Sequence, residues 1–220
     1  MSQPEFTEEI VSAKEAENNA RRERLMRRSS NMANIMDPPP NFPPECCCIK
    51  PLIYHNIKLQ IPVPYQRFMY TICGLYISLI GLILYNIVAS TVVLIYGGSM
   101  MHFGLSWVYL VGLPGGWVVW YYNTYLVFTE ASSVRRIAAI VGLLVGAVYD
   151  AWMAIGLTGF GGCGWVITIF SIHSTIPFIF LLVSAILWTL HAVTFFIMFF
   201  RFIKISSNIE QDRRNIYRDI

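Results

Sequence analysis

FTEASSVRRIAAIVGLLVGAVYDAW, residues 128–152, is the stretch on which the fold of this chain turns. It begins with a short polar break and then runs without charge as far as Asp150. Moving outward from it, the only charged side chains between Phe68 and Phe200 are Glu130, Arg135, Arg136 and Asp150, three of them inside that break. A soluble domain needs a polar face for water, whereas a bilayer accepts apolar residues all round a helix and penalises nearly every charge. The pattern therefore implies an all-α integral membrane protein.

The composition agrees, with 55% hydrophobic and only 13% charged residues against a norm of roughly 25% charged. A spanning helix needs about 20 apolar residues. Cutting the chain at its polar and glycine-rich breaks gives four spans, at about 68–96, 103–122, 137–160 and 176–202. The connections GGSMM (97–101) and GGCGWVITIFSIHST (161–175) carry no Lys, Arg, Asp or Glu, while both tails and the central break are basic. Because Lys and Arg accumulate in short cytoplasmic segments, an even number of spans with this asymmetry predicts that both termini face the cytosol. The start of the chain lacks the early apolar core and cleavage site of a signal peptide, so the first span is expected to direct insertion itself.

The chain thus reads as a polar helix over 1–30, a Pro- and Cys-rich juxtamembrane segment over 31–67, a four-span domain over 68–202 and a tail over 203–220. In the first part, Glu17 with Arg21 and Glu23 with Arg27 form helix-stabilising i,i+4 pairs. Arg21, Arg22, Arg24, Arg27 and Arg28, with Arg135 and Arg136 of the break, are placed to meet anionic lipid headgroups, each contributing roughly 1 kcal/mol near the surface. A net charge of +3 gathered beside apolar blocks suits headgroups and not nucleic acid. Cys46, Cys47 and Cys48 are consecutive and close to the first span, the usual setting of S-acylation. Adjacent cysteines do not give the separated ligand pairs of a zinc site, and His55 alone does not complete one. Tyr217 to Ile220 fits the Tyr-x-x-apolar pattern that clathrin adaptors read as an extended peptide. Tyr54–Ile57 and Tyr65–Phe68 fit it as well, but their closeness to the membrane points to structural roles.

Asn41-Phe42-Pro43-Pro44, Ile49-Lys50-Pro51, Tyr54, Ile61-Pro62 and Gln66 ahead of the first span resemble the juxtamembrane segment of secretory carrier membrane proteins. Phe103-Gly104-Leu105, Trp120-Tyr121 with Tyr125 and Phe128, and Gly162-Cys163-Gly164-Trp165 continue the resemblance in order, covering roughly residues 40–204. It implies four spans with cytosolic tails and a role in vesicle trafficking through post-Golgi and endosomal membranes, with sorting or adaptor proteins as partners and no cofactor. Two features depart from the family pattern. Tyr122 and Asn123 stand where the family usually has Arg-Pro, and Leu126 where it has Lys, so the charge for the phosphoinositide binding the family implies must come from Arg135 and Arg136. The Asn-Pro-Phe repeats of longer members are missing, which makes this a short-tailed form.

Asp150 is the anomaly of the apolar block, since a carboxylate at mid-span costs about 2.5–3.5 kcal/mol on insertion scales. Counted inward from the basic ends of their spans at 1.5 Å per residue, Asp150 lies about 20 Å deep and His191 about 16 Å deep, so the two can form an intramembrane polar pair. Gly142 and Gly146 make a Gly-x-x-x-Gly face for close helix approach within the bundle. Pro114-Gly115-Gly116 is expected to kink or unwind the second span. Trp107, Trp120, Tyr121, Tyr122 and Trp165 read as interfacial anchors, and Cys163 has no evident partner. No phosphate loop, nucleophile elbow or metal cluster is present, so no enzyme is expected. The rival to a trafficking protein is a small transporter or channel subunit using Asp150, His191 and Asn86. Protease treatment of sealed, right-side-in vesicles tests the topology: the N-terminal tail is expected to be digested, and a protected tail would overturn the assignment.

Overall fold

The structure is a computed structural model that describes residues 13–17, 20, 40–42, 45, 50–51, 53–130 and 132–218, with side chains to 211. Met1–His55 and Asn56–Ile220 form two separate compact units.

In the first unit, residues 13–17 are helical. Further on, Phe42 and Ile53 form an antiparallel bridge, their amides and carbonyls exchanging bonds of 2.9 and 3.0 Å. Asn41 extends the bridge by one step. Its Oδ1 accepts the His55 amide at 2.6 Å and its Nδ2 donates to the His55 carbonyl at 3.0 Å. The Asn-Phe dipeptide of the juxtamembrane motif therefore clasps the chain on either side of residues 43–52. Burial pushes the His55 imidazole below its ordinary value, so near neutral pH the ring is uncharged. Arg21, Arg22, Arg24, Arg27, Arg28 and Cys46–Cys48 lie outside the described residues, as does Ile220.

The second unit is built from helices, among the described residues with no strand. Helix α1, Ile57–Gln60, is one turn capped by Asn56, whose side chain accepts the Leu59 amide. Pro62 then starts α2, Val63–Ile95, with Pro64 in its first turn, where a missing N–H is not felt. Helix α3 covers Met100–Thr129, α4 Ser133–Ile155, α5 Trp165–Phe170 and α6 Thr175–Arg218. Helices α2, α3, α4 and α6 are all long and apolar enough to cross a membrane. At 33 residues α2 is about 50 Å long, more than the roughly 30 Å of hydrocarbon, so it tilts or emerges at its ends. Helix α4 stops where Gly156 takes a left-handed conformation at φ 61°.

Of the two forms expected of the second span, a kink or an unwound turn, the unwound turn is not taken. Pro114-Gly115-Gly116 neither breaks nor unwinds the helix. The helix tightens to a 3-10 turn at Tyr109–Val111 and then widens to a π turn at Trp117–Tyr122, continuing to Thr129. Two side chains make this possible, because backbone groups freed inside a bilayer need partners. Tyr76 Oη donates to the Leu113 carbonyl at 3.0 Å, and Asn123 Nδ2 donates to the Val118 and Val119 carbonyls at 2.9 and 3.0 Å. The wide turn directs Trp120 and Tyr121 both inward, where they are 3% and 0% exposed. They are core residues, which corrects their reading as interfacial anchors. Trp107 and Trp165 do face outward, at 49% and 41% exposed.

Helix α4 packs on α6 and on the π turn of α3. Gly142 is the point of closest approach, since a Cβ there would collide with the Val119 carbonyl oxygen. One turn on, a Cβ at Gly146 would stand 2.6 Å from Phe195 and 3.2 Å from Trp120. At the basic end, Phe68, Phe128 and Phe202 close the bundle with ring centroids 5.9–6.4 Å apart. Gly142→Ala is expected to lower stability by about 1–3 kcal/mol, the range for overpacking a filled core. Gly81→Ala, where an added Cβ meets nothing within 4 Å, should be neutral or slightly stabilising. Thermal unfolding in detergent compares the two, and equal midpoints would refute this packing.

Candidate functional site

Three groups of polar side chains stand out against the apolar bundle, one at mid-span, one toward the uncharged end and one at the basic end. The mid-span group is Asp150 on α4 and His191 on α6, 1% and 6% exposed. The structure brings them together: His191 Nδ1 lies 2.7 Å from Asp150 Oδ2. His191 Nε2 lies 3.0 Å from the Leu75 carbonyl on α2. A carbonyl only accepts, so Nε2 carries a hydrogen. One further proton then occupies the 2.7 Å contact, because a bare ring nitrogen and a carboxylate at that distance would repel. Whether that proton sits on Nδ1 or on the carboxyl, the pair as a whole is neutral. In this way a residue pair that would be costly in lipid joins three of the four spans.

The second group is one that sequence reasoning did not assemble. Gly161 to Cys163, in the loop between α4 and α5, is non-helical backbone that turns into the bundle, and Cys163 is fully buried. Asn86 on α2 meets it as a second strand would, donating from Nδ2 to the Gly161 carbonyl and accepting the Cys163 amide at Oδ1, both at 2.8 Å. His102 on α3 accepts the Gly161 amide at Nδ1, 3.1 Å. That bond leaves the hydrogen of a neutral His102 on Nε2, directed at Cys163 Sγ 3.8 Å away. The ring nitrogen facing the thiol is therefore a donor and not a base, so the pair is not an activated nucleophile. Cys163 is a free cysteine, and its contact with His102 is structural. Alongside it, Ser90 donates to Ser106 at 2.7 Å, tying α2 to α3. His102 was missed because a lone histidine in an apolar run carries no pattern. The usable signal was the Gly-Gly-Cys-Gly loop itself, whose backbone at membrane depth had to find partners.

At the basic end the two break arginines are both engaged. Arg135 pairs with Glu130 at 3.2 Å. Arg136 Nε donates to Ser206 Oγ at 3.4 Å and its Nη1 lies 3.9 Å from Glu210, latching α4 to the extension of α6. Lys58, Arg67, Arg201 and Lys204 are exposed at the same end. Tyr125 Oη accepts the Asn56 amide at 3.0 Å and donates to Gln60 Oε1, holding α1 against α3. Ile57 and Phe68 are 6% and 4% exposed, so the motifs beginning at Tyr54 and Tyr65 end on buried residues and are not free peptides. The aromatic run 120–128, of which only residues up to about 122 are expected in the second span, lies wholly within helix α3, with Tyr125 and Leu126 at 2% and 6% exposure. Among the described residues no cluster of His, Cys, Asp or Glu could hold a metal ion.

A family model described as the SCAMP family matches residues 39–208. The chain belongs to this family, the secretory carrier membrane proteins. It is 32% identical over 156 residues to human Secretory carrier-associated membrane protein 4, covering 69% of this chain and 68% of that protein. Human Secretory carrier-associated membrane protein 5 is 28% identical over 161 residues, with 71% and 68% covered. A rice relative, Secretory carrier-associated membrane protein 3 of Oryza sativa subsp. japonica, is 29% identical over 124 residues, 56% of this chain and 43% of its own. No solved structure matches. Membership makes the chain a multi-pass membrane protein of the secretory vesicle type, in a family of membrane trafficking proteins.

Asp150→Ala is expected to destabilise the bundle by about 3 kcal/mol or more, the effect of removing one partner of a buried pair. Asp150→Asn should lose markedly less, because its amide can donate to Nδ1 while Nε2 keeps its bond to Leu75. Unfolding midpoints in detergent measure both, and equal losses would show that a hydrogen bond to Nδ1 does not substitute for the carboxylate and its shared proton.

Proposed function

We propose that this secretory carrier membrane protein is a non-enzymatic tetraspan protein of post-Golgi and endosomal recycling membranes. In this reading both tails face the cytosol and contact sorting machinery and lipid. The observation that carries it is the polarity of the helical unit along its axis. Lys58, Arg67, Arg135, Arg136, Arg201 and Lys204 gather at one end, while the connections at the other end carry no Lys, Arg, Asp or Glu. That asymmetry favours the orientation in which the basic end meets the cytoplasmic leaflet.

The α6 extension supports the tail's role. Its backbone stays helical through Arg218, and Arg136 steadies it from α4, so it carries the C-terminal tail away from the membrane surface. Tyr217 lies in the last turn of that helix. An adaptor that reads an extended Tyr-x-x-apolar peptide must first unwind this turn, which is inexpensive at a helix end. The basic N-terminal run 21–28, Arg135 with Arg136, and acylation at Cys46–Cys48 are the proposed membrane contacts. Arg135 and Arg136 serve this role in part through their exposed edges, being already paired with acidic residues.

The rival transporter reading has less support from the interior. Asp150 with His191, and Asn86 with His102, each bind backbone groups of neighbouring elements, the use of a structural polar group in a bilayer. Depletion of the protein is expected to relocate cargo, and Tyr217→Ala to shift its steady-state distribution toward the plasma membrane. Proton or ion flux in reconstituted liposomes that disappears in Asp150→Asn, with cargo location unaffected by depletion, would reverse the choice.

A further inference from the structure

Between α2 and α6 lies a cavity of about 420 Å³ that opens outward, toward lipid. Thr71, Gly74 and Ser78 line it from α2, and Leu190 and Thr194 from α6, with His191 at its floor. From Thr71 to Leu82 it runs about 16 Å along α2, about half of the ~30 Å hydrocarbon thickness. It is as long as one leaflet is deep. Its hydroxyls are turned to the helices: Thr71 donates to the Arg67 carbonyl at 2.9 Å, Ser78 to Leu75 at 3.0 Å and Thr194 to Leu190 at 2.8 Å. What remains toward lipid is a mainly apolar trough.

The two walls lead to cations. Arg67 precedes Thr71, Gly74 and Ser78 by four, seven and eleven residues, which keeps all four on one face of α2. Arg201 follows Thr194 by seven residues, two turns on and within about 20° of its direction around α6. Phe68 and Phe202, the next residues along, stack at 5.9 Å, which sets the two arginine backbones side by side at the basic end. Both side chains are exposed, and neither belongs to an ion pair among the described residues.

A trough of one leaflet's depth that begins beside two cations fits one kind of molecule. We propose that it holds one glycerophospholipid with an anionic headgroup, its charge met by Arg67 and Arg201 and one acyl chain lying along Thr71, Gly74 and Ser78. A sterol would leave both cations without a counter-charge, an extended peptide would bring unsatisfied backbone to hydrocarbon depth, and an apolar helix would also bring the cations no counter-charge. The site shares no residue with the break arginines or the tail motifs, and it rests on the membrane-spanning fold alone, independent of the trafficking reading.

Native mass spectrometry of the full chain in detergent, offered phosphatidylserine, phosphatidylcholine or cholesterol, tests it. Wild type is expected to retain one phosphatidylserine per chain in preference to the others. The double variant Arg67→Gln, Arg201→Gln should weaken that retention about thirtyfold, to the level of phosphatidylcholine. Gly74→Leu fills the trough from a position where an added Cβ meets nothing within 4 Å. It should abolish retention of phosphatidylserine while leaving the helical circular dichroism unchanged, and so keeps the test readable if the arginine variant fails to fold. Equal retention of phosphatidylcholine by wild type, preference for cholesterol, no lipid retained, or undiminished phosphatidylserine on a folded Gly74→Leu chain would each overturn the site.

Discussion

In hydrocarbon, every peptide group that leaves a helix must find a partner inside the protein, and this bundle is arranged around that requirement. Asn86 answers it for the buried loop by bonding the backbone of Gly161 and Cys163 on both sides. Tyr76 and Asn123 answer it for the second span, where a 3-10 turn passes into a π turn. Once these side chains are in place the rest of the packing follows. The π turn carries Trp120 and Tyr121 inward and brings its own backbone against α4, which supplies Gly142 opposite the Val119 carbonyl and Gly146 opposite the Trp120 and Phe195 rings. The loop, held by Asn86 and His102, in turn delivers α5 to α6, where Trp165 donates to Thr189 at 2.8 Å.

The two ends of the bundle are finished differently. The uncharged end is closed by loop backbone bonded to buried side chains, so little there depends on water or salt. The basic end is closed by the Phe68, Phe128 and Phe202 rings and by the Arg136 latch, with further cations left facing outward. The exposed cations Lys58, Arg67, Arg201 and Lys204 thus gather at one end of the bundle, and the apolar interior is the frame that holds them there.

Four spans were legible because charge is nearly absent between Phe68 and Phe200, and a bilayer penalises charge too strongly for other readings to compete. The Asp150–His191 meeting could be anticipated by counting depth from span ends, since rise per residue hardly varies. Helix ends were harder to place. The second span runs on to Thr129 because Tyr125 and Leu126 pack into the bundle, and hydropathy does not distinguish aromatic residues in a loop from those in a core. The form taken by Pro114-Gly115-Gly116 was not legible either, because it depends on Tyr76 and Asn123 being in reach. The Asn86, His102 and Cys163 group joins residues 59 to 77 positions apart, and no local pattern announces such a meeting.

The neutrality of the Asp150–His191 pair bears on how the protein behaves under voltage. Carrying one charge through the full membrane field is worth about 2.3 kcal/mol per 100 mV. A pair with no net charge is not drawn across that field, and a proton hopping within a 2.7 Å contact crosses less than about a tenth of the ~30 Å hydrocarbon. This buried pair is thus almost indifferent to membrane potential. A vesicle protein joined this way keeps the same helix packing whether the membrane it occupies is polarised or not.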